Sequence, residues 1–145
     1  MPILQSKTLM IRYQLGNDLD IGAVIELYQA STLGERRPVD DYERMTRMIR
    51  NANLVVTAWD ADLLVGLSRA LSDFSYATYL SDLAVRKSYQ KQGIGKELIR
   101  RTRLESGLET HLILCAAPAA EKYYPHIGFT HHPQTWVLKP GETIQ

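Results

Sequence analysis

One segment, residues 83–96, constrains the fold of this chain more than any other. It begins with the apolar, strand-like residues 83–85, continues through a polar stretch, and opens a helix at Gly93 and Gly95. The helix has an apolar side formed by Leu98, Ile99 and Leu104. Residues 108–115 then resemble another strand. Because a helix joins the two strands, we predict that they are parallel neighbours in one sheet.

Two amphipathic helices are predicted in the first third of the chain, after a strand at residues 9–15. The first is expected to end near Gly34, and its apolar residues recur at helical spacing: Ile21, Val24, Ile25 and Tyr28. The second follows Pro38, and Asp40 and Glu43 are expected to form its capping box. Its inward-facing residues are expected to be Tyr42, Met45 and Ile49.

The middle of the chain predicts an antiparallel meander. Its strands are expected at residues 54–59, 63–71 and 76–85, separated by turns. Near the end of the chain we predict a short helix from Pro118 toward Tyr124 and a final strand at residues 135–138. The predicted fold class is therefore mixed α/β (α+β), with a mostly antiparallel sheet, one parallel strand pair and helices on both faces.

Length and composition fit one globular domain over residues 1–145. The lone cysteine, Cys115, excludes an internal disulfide, suits a cytoplasmic protein and is expected to serve packing. The four histidines lack a ligand spacing, so we predict no metal. No apolar run approaches the roughly 20 residues of a membrane span, and no signal-peptide pattern begins the sequence. We therefore expect no membrane partner.

Positive charge is concentrated in one part of a nearly neutral chain. The net charge is +1, yet seven of the seventeen basic residues lie between Arg86 and Arg103, opposed only by Glu97. A solvated helix face and a local anion site both remain open as interpretations. The low net charge and the few aromatic residues near the helix argue against nucleic acid as a partner.

The two glycines of the helix start suggest how an anion could bind. They remove side chains where an anion approaches the backbone, and the amides of a helix amino terminus point at it, so a diphosphate is the natural ligand. A Walker loop is excluded because Glu97 follows Lys96, and a dinucleotide fingerprint because Leu98 stands at its third glycine. A glycine-opened helix without any ligand is the remaining alternative.

Three runs together resemble one family. Residues 79–85 (YLSDLAV), 90–95 (QKQGIG) and 123–129 (YYPHIGF) are similar, in this order, to motifs of the GNAT superfamily of acetyl-CoA-dependent N-acetyltransferases. The resemblance implies acetyl-CoA as co-substrate. It also implies that the parallel strands splay apart, with a gap between residues 82–85 and residues 113–115.

The resemblance also assigns site residues. The backbone of Leu83 and Val85 would pair with the pantetheine arm, an amide near Val85 would polarise the thioester carbonyl, and Tyr124 would protonate the leaving thiolate. The implied cofactor-binding set is Leu83, Ala84, Val85, Gln90, Lys91, Gln92, Gly93, Ile94, Gly95, Lys96 and Tyr124. Ala117 stands where many members carry an asparagine, so the resemblance implies one side-chain contact to the cofactor fewer than in those members. Tyr124 as a packed aromatic beside Tyr123 is the competing interpretation.

The acceptor amine must lose a proton, and Asp82 is the nearest carboxylate in sequence. In an apolar strand its pKa would be raised unless the group is paired. Asp82 is therefore a candidate catalytic base, and orienting a neighbouring loop is the alternative role. Glu35, Glu43 and Asp73 are weaker candidates because solvated acids are normal on loops and helix faces.

The expected function is transfer of an acetyl group from acetyl-CoA to a primary amine of a small molecule or peptide, by direct attack in a ternary complex. Acidic residues near the expected acceptor side suggest a cationic amine, although Arg36 and Arg37 offset their charge: Glu35, Asp40, Asp41 and Glu43. A non-catalytic module that binds CoA or acyl-CoA as a sensor is the alternative. An exposed terminal strand makes a homodimer an option.

Overall fold

The computed structural model describes residues 10–145. The chain divides into two compact units, Met1–Leu114 and Cys115–Gln145. The described part of the first contains the sheet and the α-helices α1 (Ile21–Gln29), α2 (Tyr42–Arg50) and α3 (Ile94–Ser106). The second contains a 3-10 turn, Pro118–Ala120, and the short helix α4 (Tyr123–His126). Among residues 10–145 no helix has the length and apolar character that crossing a membrane requires.

Within the described residues, five strands form one mixed sheet in chain order. They are β1 (Arg12–Leu15), β2 (Leu54–Asp60), β3 (Leu63–Ser72), β4 (Ala77–Val85) and β5 (His111–Leu114). All neighbouring pairs are antiparallel except β4 and β5, which are parallel. The predicted meander and the predicted parallel pair are therefore both confirmed. β1 is shorter than predicted, and position 9 lies outside the described residues.

Helices cover both faces of the sheet, as predicted. On one face α1 and α2 pack over Val55, Leu67 and Ala84. On the other face α3 packs over Val56, Ala58 and Val65. The alternation of buried side chains along each strand supplies both cores, because successive residues of a strand point to opposite faces.

α3 lies close to the sheet because β3 carries a glycine beneath it. A Cβ at Gly66 would stand 3.0 Å from Leu98 Cδ1 and 3.2 Å from Ile94 Cγ2. Gly66 is opposite Val85 in the β3–β4 register. This contact therefore sets the height of the first turn of α3 above the end of β4.

Several helix predictions are corrected by the structure. α1 ends at Gln29, and a 3-10 helix, Thr32–Arg36, follows where the helix was expected to continue. The cap of α2 is Asp41, which accepts from the amide of Arg44, and not Asp40. Tyr42 and Leu104 are exposed rather than turned inward. Tyr42 is the first residue of α2, where the helix has not yet reached the core that Met45 and Ile49 enter.

The end of the chain differs most from prediction. Residues 135–138 form no strand, and Trp136, Val137 and Leu138 are exposed. Strand-prone residues need a partner that shares ladder hydrogen bonds, and the described sheet ends at β5. The helix predicted from Pro118 is divided into the 3-10 turn and α4. Cys115 is exposed, so its expected packing role is wrong.

β4 is irregular near its middle. Arg69 of β3 is opposite Asp82, and Ala70 is opposite Leu80, so Ser81 has no partner of its own on β3. Such a bulge shifts the alternation of side chains. The ladder between β4 and β5 also ends here, because its last rung joins Leu80 to Leu114. Residues 113 and 114 therefore pair with Tyr79 and Leu80, and the ladder does not extend to residues 82–85.

Candidate functional site

Within residues 10–145, the second half of β4 (residues 81–85) has a strand partner on one side only. Arg86 N–H donates to Val65 O at 2.9 Å. In an antiparallel ladder, hydrogen-bonded and non-bonded pairs alternate, so the peptide groups of Leu83 and Val85 point away from β3. The Gln90 side chain donates to Val85 O at 3.0 Å. The backbone groups on this edge that bind no other described residue are the N–H and C=O of Leu83 and the N–H of Val85.

The amino end of α3 lies directly after this open edge in the chain. The link consists of a 3-10 turn, Lys87–Tyr89, and a bend in which Lys91 and Gly93 have φ angles of 64° and 84°. Gly93 is the N-cap of α3, and no side chain caps the helix. The first amides of α3 therefore have no side-chain acceptor within the described residues and can bind an anion.

Among residues 10–145, few atoms lie close to the two glycines at this helix end. A Cβ at Gly93 would meet no atom within 4 Å, and a Cβ at Gly95 would come no closer than 3.6 Å to Val85 Cγ2. The left-handed φ of Gly93 favours glycine, whereas neither packing nor a positive φ requires glycine at position 95. The missing side chain at Gly95 leaves room that a phosphate group could use.

The basic segment divides into engaged arginines and free lysines. Arg86 forms a two-bond pair with Glu26, Arg100 and Arg101 pair with Glu97, and Arg103 donates to backbone carbonyls. The lysines have no ion pair in the described part of the chain, and all three are exposed: Lys87, Lys91 and Lys96. The unneutralised positive charge is thus concentrated around the start of α3, which suits a ligand with several negative charges.

A buried charged cluster lies at the bulge. Asp82, which is fully buried, accepts from Arg37 Nε and Arg69 Nε, both at 2.7 Å, and from the hydroxyl of Tyr28 at 2.8 Å. The Ser81 hydroxyl donates to the same carboxylate at 3.2 Å. Two guanidinium groups and two hydroxyls therefore surround one carboxylate.

Asp82 is paired, so the condition for a raised pKa is not met. Burial alone would raise the pKa of Asp82, but the hydrogen bonds and charges of Arg69 and Arg37 outweigh it and hold that pKa below its usual value. Burial, together with the charge of Asp82, raises the pKa of Tyr28 well above its usual value. Of the two roles considered for Asp82, this geometry favours orientation of a neighbouring loop.

Sequence reasoning missed the partners of Asp82. Arg37 comes from the loop between α1 and α2, Arg69 from β3 and Tyr28 from α1. One signal was present, because Arg69 and Asp82 are single charges in consecutive apolar strands that a hairpin brings side by side. The positions of Arg37 and Tyr28 depend on helix packing and left no such signal.

The predicted Tyr124 belongs to the second unit. It lies on α4, is half-buried, and its ring packs edge-on against Tyr123 at 5.5 Å and Phe129 at 5.4 Å between centroids. Its carbonyl accepts from the amide of Phe129. Ala117 precedes the turn Pro118–Ala120 and brings no polar side chain.

Other features of the described residues do not add to this site. A cavity of about 340 Å³ is lined mainly by β2 and by residues around Gly16, away from the start of α3. No group of three or more His, Cys, Asp or Glu side chains within residues 10–145 is arranged to hold a metal ion.

Comparison with known proteins identifies the family. The sequence profile of the acetyltransferase (GNAT) domain matches residues 28–138, which is more than half of the chain. The chain belongs to the GNAT family of acetyltransferases. An uncharacterised N-acetyltransferase of Prochlorococcus marinus, described as ycf52-like, is 30% identical over 123 residues, 80% of this chain. The chain spans between 29% and 66% of the length of the curated relatives it matches.

Solved structures share the fold of this GNAT protein. A probable acetyltransferase from methicillin-resistant Staphylococcus aureus has a TM-score of 0.77 and 22% identity, covering 92% of this chain and 100% of its own. The aminoglycoside N-acetyltransferase AAC(6')-Iy, solved with CoA, has a TM-score of 0.71 and 14% identity, covering 95% and 99%. These similarities confirm the predicted mixed α/β fold class.

Proposed function

We propose that this GNAT protein transfers an acetyl group from acetyl-CoA to a primary amine of a small molecule or peptide, by direct attack in a ternary complex. The observation that carries the proposal is the open edge of β4 beside the amino end of α3. The amide groups of a ligand could pair with this edge while its diphosphate binds the start of α3, because the edge and the helix start are adjacent in the chain. Acetyl-CoA is such a ligand, and a lone cysteine fits a cytoplasmic setting for it.

The chain's own groups have separate tasks in this proposal. Leu83 pairs with the pantetheine amides as a strand would, and the Val85 N–H donates to the carbonyl of the acetyl group. The amides at the start of α3 bind the diphosphate, and Lys91 and Lys96 draw it in. Acetyl-CoA, when bound, supplies an activated thioester. Gly95 keeps the helix start accessible.

Proton transfer requires a donor for the thiolate and an acceptor for the amine proton. We assign the donor to Tyr124, because a phenol and a thiol differ only modestly in pKa. Asp82 is the carboxylate next to the open edge, but two arginines already bind it. We therefore give Asp82 an orienting role and assign the amine proton to water.

Thermal unfolding with acetyl-CoA tests the cofactor. A ligand that binds only the folded state stabilises it, by about 2.7 kcal/mol at a hundredfold excess over Kd. We expect the melting temperature to rise with acetyl-CoA, and less so when Lys91 and Lys96 are both replaced by alanine. An Arg100→Ala, Arg103→Ala double variant is the control for charge lost farther along α3. No shift at millimolar acetyl-CoA contradicts the proposal.

An amine panel tests the reaction. Release of free CoA thiol, measured for small amines, polyamines, aminoglycosides and peptides, should increase for at least one class. Sisomicin is a useful member, since an aminoglycoside acetyltransferase with this fold was solved with it. Binding of acetyl-CoA without turnover on any amine would instead support the non-catalytic, CoA-binding module.

Substitution of Tyr124 tests the proton donor. Loss of a general acid typically lowers turnover by about a hundredfold or more, so Tyr124→Phe should lower kcat strongly while leaving acetyl-CoA affinity nearly unchanged. Tyr123→Phe is the matched control, because it removes a neighbouring phenol from the same helix. Equal turnover in the two variants would remove Tyr124 from the mechanism and favour its role as a packed aromatic.

A further inference from the structure

One side chain fastens the loop between α1 and α2 to β4. Arg37 Nε donates to Asp82 Oδ1 at 2.7 Å, and Arg37 Nη2 donates to Ser81 O at 2.8 Å. Its third nitrogen donates to Arg36 O at 2.8 Å, inside the loop itself. The Arg37 side chain is 23% exposed, whereas the carboxylate it binds is fully enclosed. The last residue of the loop is therefore fixed by an ion pair to a buried carboxylate.

Arg37 contacts β4 at the point where its ladder with β5 ends. Leu80 forms the last rung with Leu114, and Ser81 is the next residue of β4. A free carbonyl at that position would be an acceptor for a further strand partner. Arg37 occupies this carbonyl, so the ladder with β5 ends at a residue whose acceptor is already satisfied.

The two faces of the open edge are unlike. Leu83 and Val85 contact the core under α3, whose amino end carries the free lysines. Asp82 and Ala84 point to the face of α1 and α2, where Tyr28 and Arg37 meet the carboxylate. A ligand phosphate at the start of α3 leaves this second face for an attacking amine. Arg37, the last residue of the loop of residues 31–37, contacts β4 on this same face.

We propose that Arg37 is a positioning residue for the acceptor amine. It holds the loop of residues 31–37 against β4 at the point where the ladder with β5 ends, and the amine enters between this loop and the open edge. This inference rests on the proposed function. Arg37 does not touch the reacting atoms; it acts through the loop, whose position depends on both bonds of the guanidinium.

Arg37→Lys is the deciding variant. Lysine keeps the positive charge but has one nitrogen, so it cannot reproduce the planar, two-point contact with Asp82 and Ser81. Arg36→Lys is the matched control, because the exposed Arg36 side chain forms no ion pair or hydrogen bond in the described part of the chain. The two variants make the same chemical change at neighbouring positions.

We expect Arg37→Lys to raise KM for the amine about tenfold, the loss of roughly one charge-assisted hydrogen bond, while kcat and KM for acetyl-CoA change less than about twofold. Backbone amides of residues 31–37 should exchange hydrogen about tenfold faster, while the amides of β3 keep their protection. Arg36→Lys should show neither effect.

Other results overturn the inference. An unchanged amine KM, or an equal rise in both KM values, means that Arg37 serves stability only. Arg37→Gln, which keeps a planar donor, replaces Arg37→Lys if the latter does not fold, with the same expectations. If wild-type protein binds acetyl-CoA but acetylates no amine, the proposed function is wrong, and this inference, which rests on it, is wrong as well. If the wild type acetylates an amine but Arg37→Lys does not raise the amine KM more than the acetyl-CoA KM, the proposed function stands and only this inference is wrong.

Discussion

The two halves of β4 are stabilised by different kinds of buried polar cluster. In the half paired with β5, the Thr78 hydroxyl lies 2.7 Å from the Ser72 hydroxyl and donates to the Thr110 hydroxyl at 3.1 Å. These groups are neutral. In the half without β5, the cluster is ionic and centres on Asp82 with its two arginines.

The difference shows how an open sheet edge is supported. Backbone hydrogen bonds on both sides fix the first half of β4, so neutral hydroxyls need only satisfy one another. The second half lacks one set of backbone bonds, and charged side chains from a neighbouring strand and a loop fix it instead. A buried ion pair is strongly destabilising to break, because the remaining charge is left uncompensated.

The largest expected effect follows from breaking the ionic cluster. Asp82→Asn removes the charge that two arginines share, and should lower the free energy of unfolding by about 3 to 5 kcal/mol. Urea unfolding measures it, and Asp40→Asn, at an exposed position, should change the value by less than about 0.5 kcal/mol. A loss below about 1 kcal/mol for Asp82→Asn would show that water reaches the cluster and screens it.

Lowering the pH should weaken the ionic cluster around Asp82 but not the neutral hydroxyl cluster around Thr78. The pKa of Asp82 is lower in the folded protein than in an unfolded chain, so its pairing stabilises the fold fully above about pH 4 and is lost as pH falls below that value. The unfolding free energies of wild type and Asp82→Asn, compared at decreasing pH, should therefore converge. A gap that stays constant into acid would contradict the pairing.

The next largest effect on stability is expected from the packing contact between Gly66 and α3. Gly66→Ala places a methyl group 3.0 Å from Leu98 and should cost about 1 to 3 kcal/mol through displacement of α3. Acetyl-CoA affinity should fall as well, since Gly66 lies opposite Val85. Ala70→Gly, on the same strand but opposite Leu80 in the paired half, is the comparison. If it lowers affinity equally, the effect is not specific to the open half.

The paired half should give the smallest effect. Thr78→Val removes one buried hydroxyl and should cost about 1 kcal/mol, because Ser72 and Thr110 lose a shared partner. The cost should be the same from about pH 3 to about pH 7, since hydroxyls do not titrate there. Urea unfolding across that range checks it, and a cost that varies with pH would mean that the two clusters are coupled.

The sequence predicts the sheet and α3 well for a physical reason. Strand order in the meander follows from short turns between apolar runs, and α3 follows from its glycine start and helical apolar spacing. These are local signals. The cap of α2 was misplaced by one residue because Asp40 and Asp41 are both good caps, and only the folded backbone selects between them.

Such local signals could not predict the ionic cluster around Asp82. Arg37 and Asp82 are 45 residues apart, and Tyr28 and Asp82 are 54 apart. Their meeting depends on how α1 lies on the sheet. The sequence correctly indicated that Asp82 needs a partner if it is to stay charged in an apolar strand. It predicted a final strand at residues 135–138 from composition, but a strand also requires a partner.

The short length of the open edge has a consequence for the protein's solubility. Unpaired strand edges recruit strands from other molecules and so promote aggregation. Here Arg37 covers the acceptor of Ser81 at one end, and Gln90 covers that of Val85 at the other. Within residues 10–145 this leaves only the N–H and C=O of Leu83 and the N–H of Val85 free for a ladder, too few to pair with an entire polypeptide strand but enough for the small extended ligand proposed above.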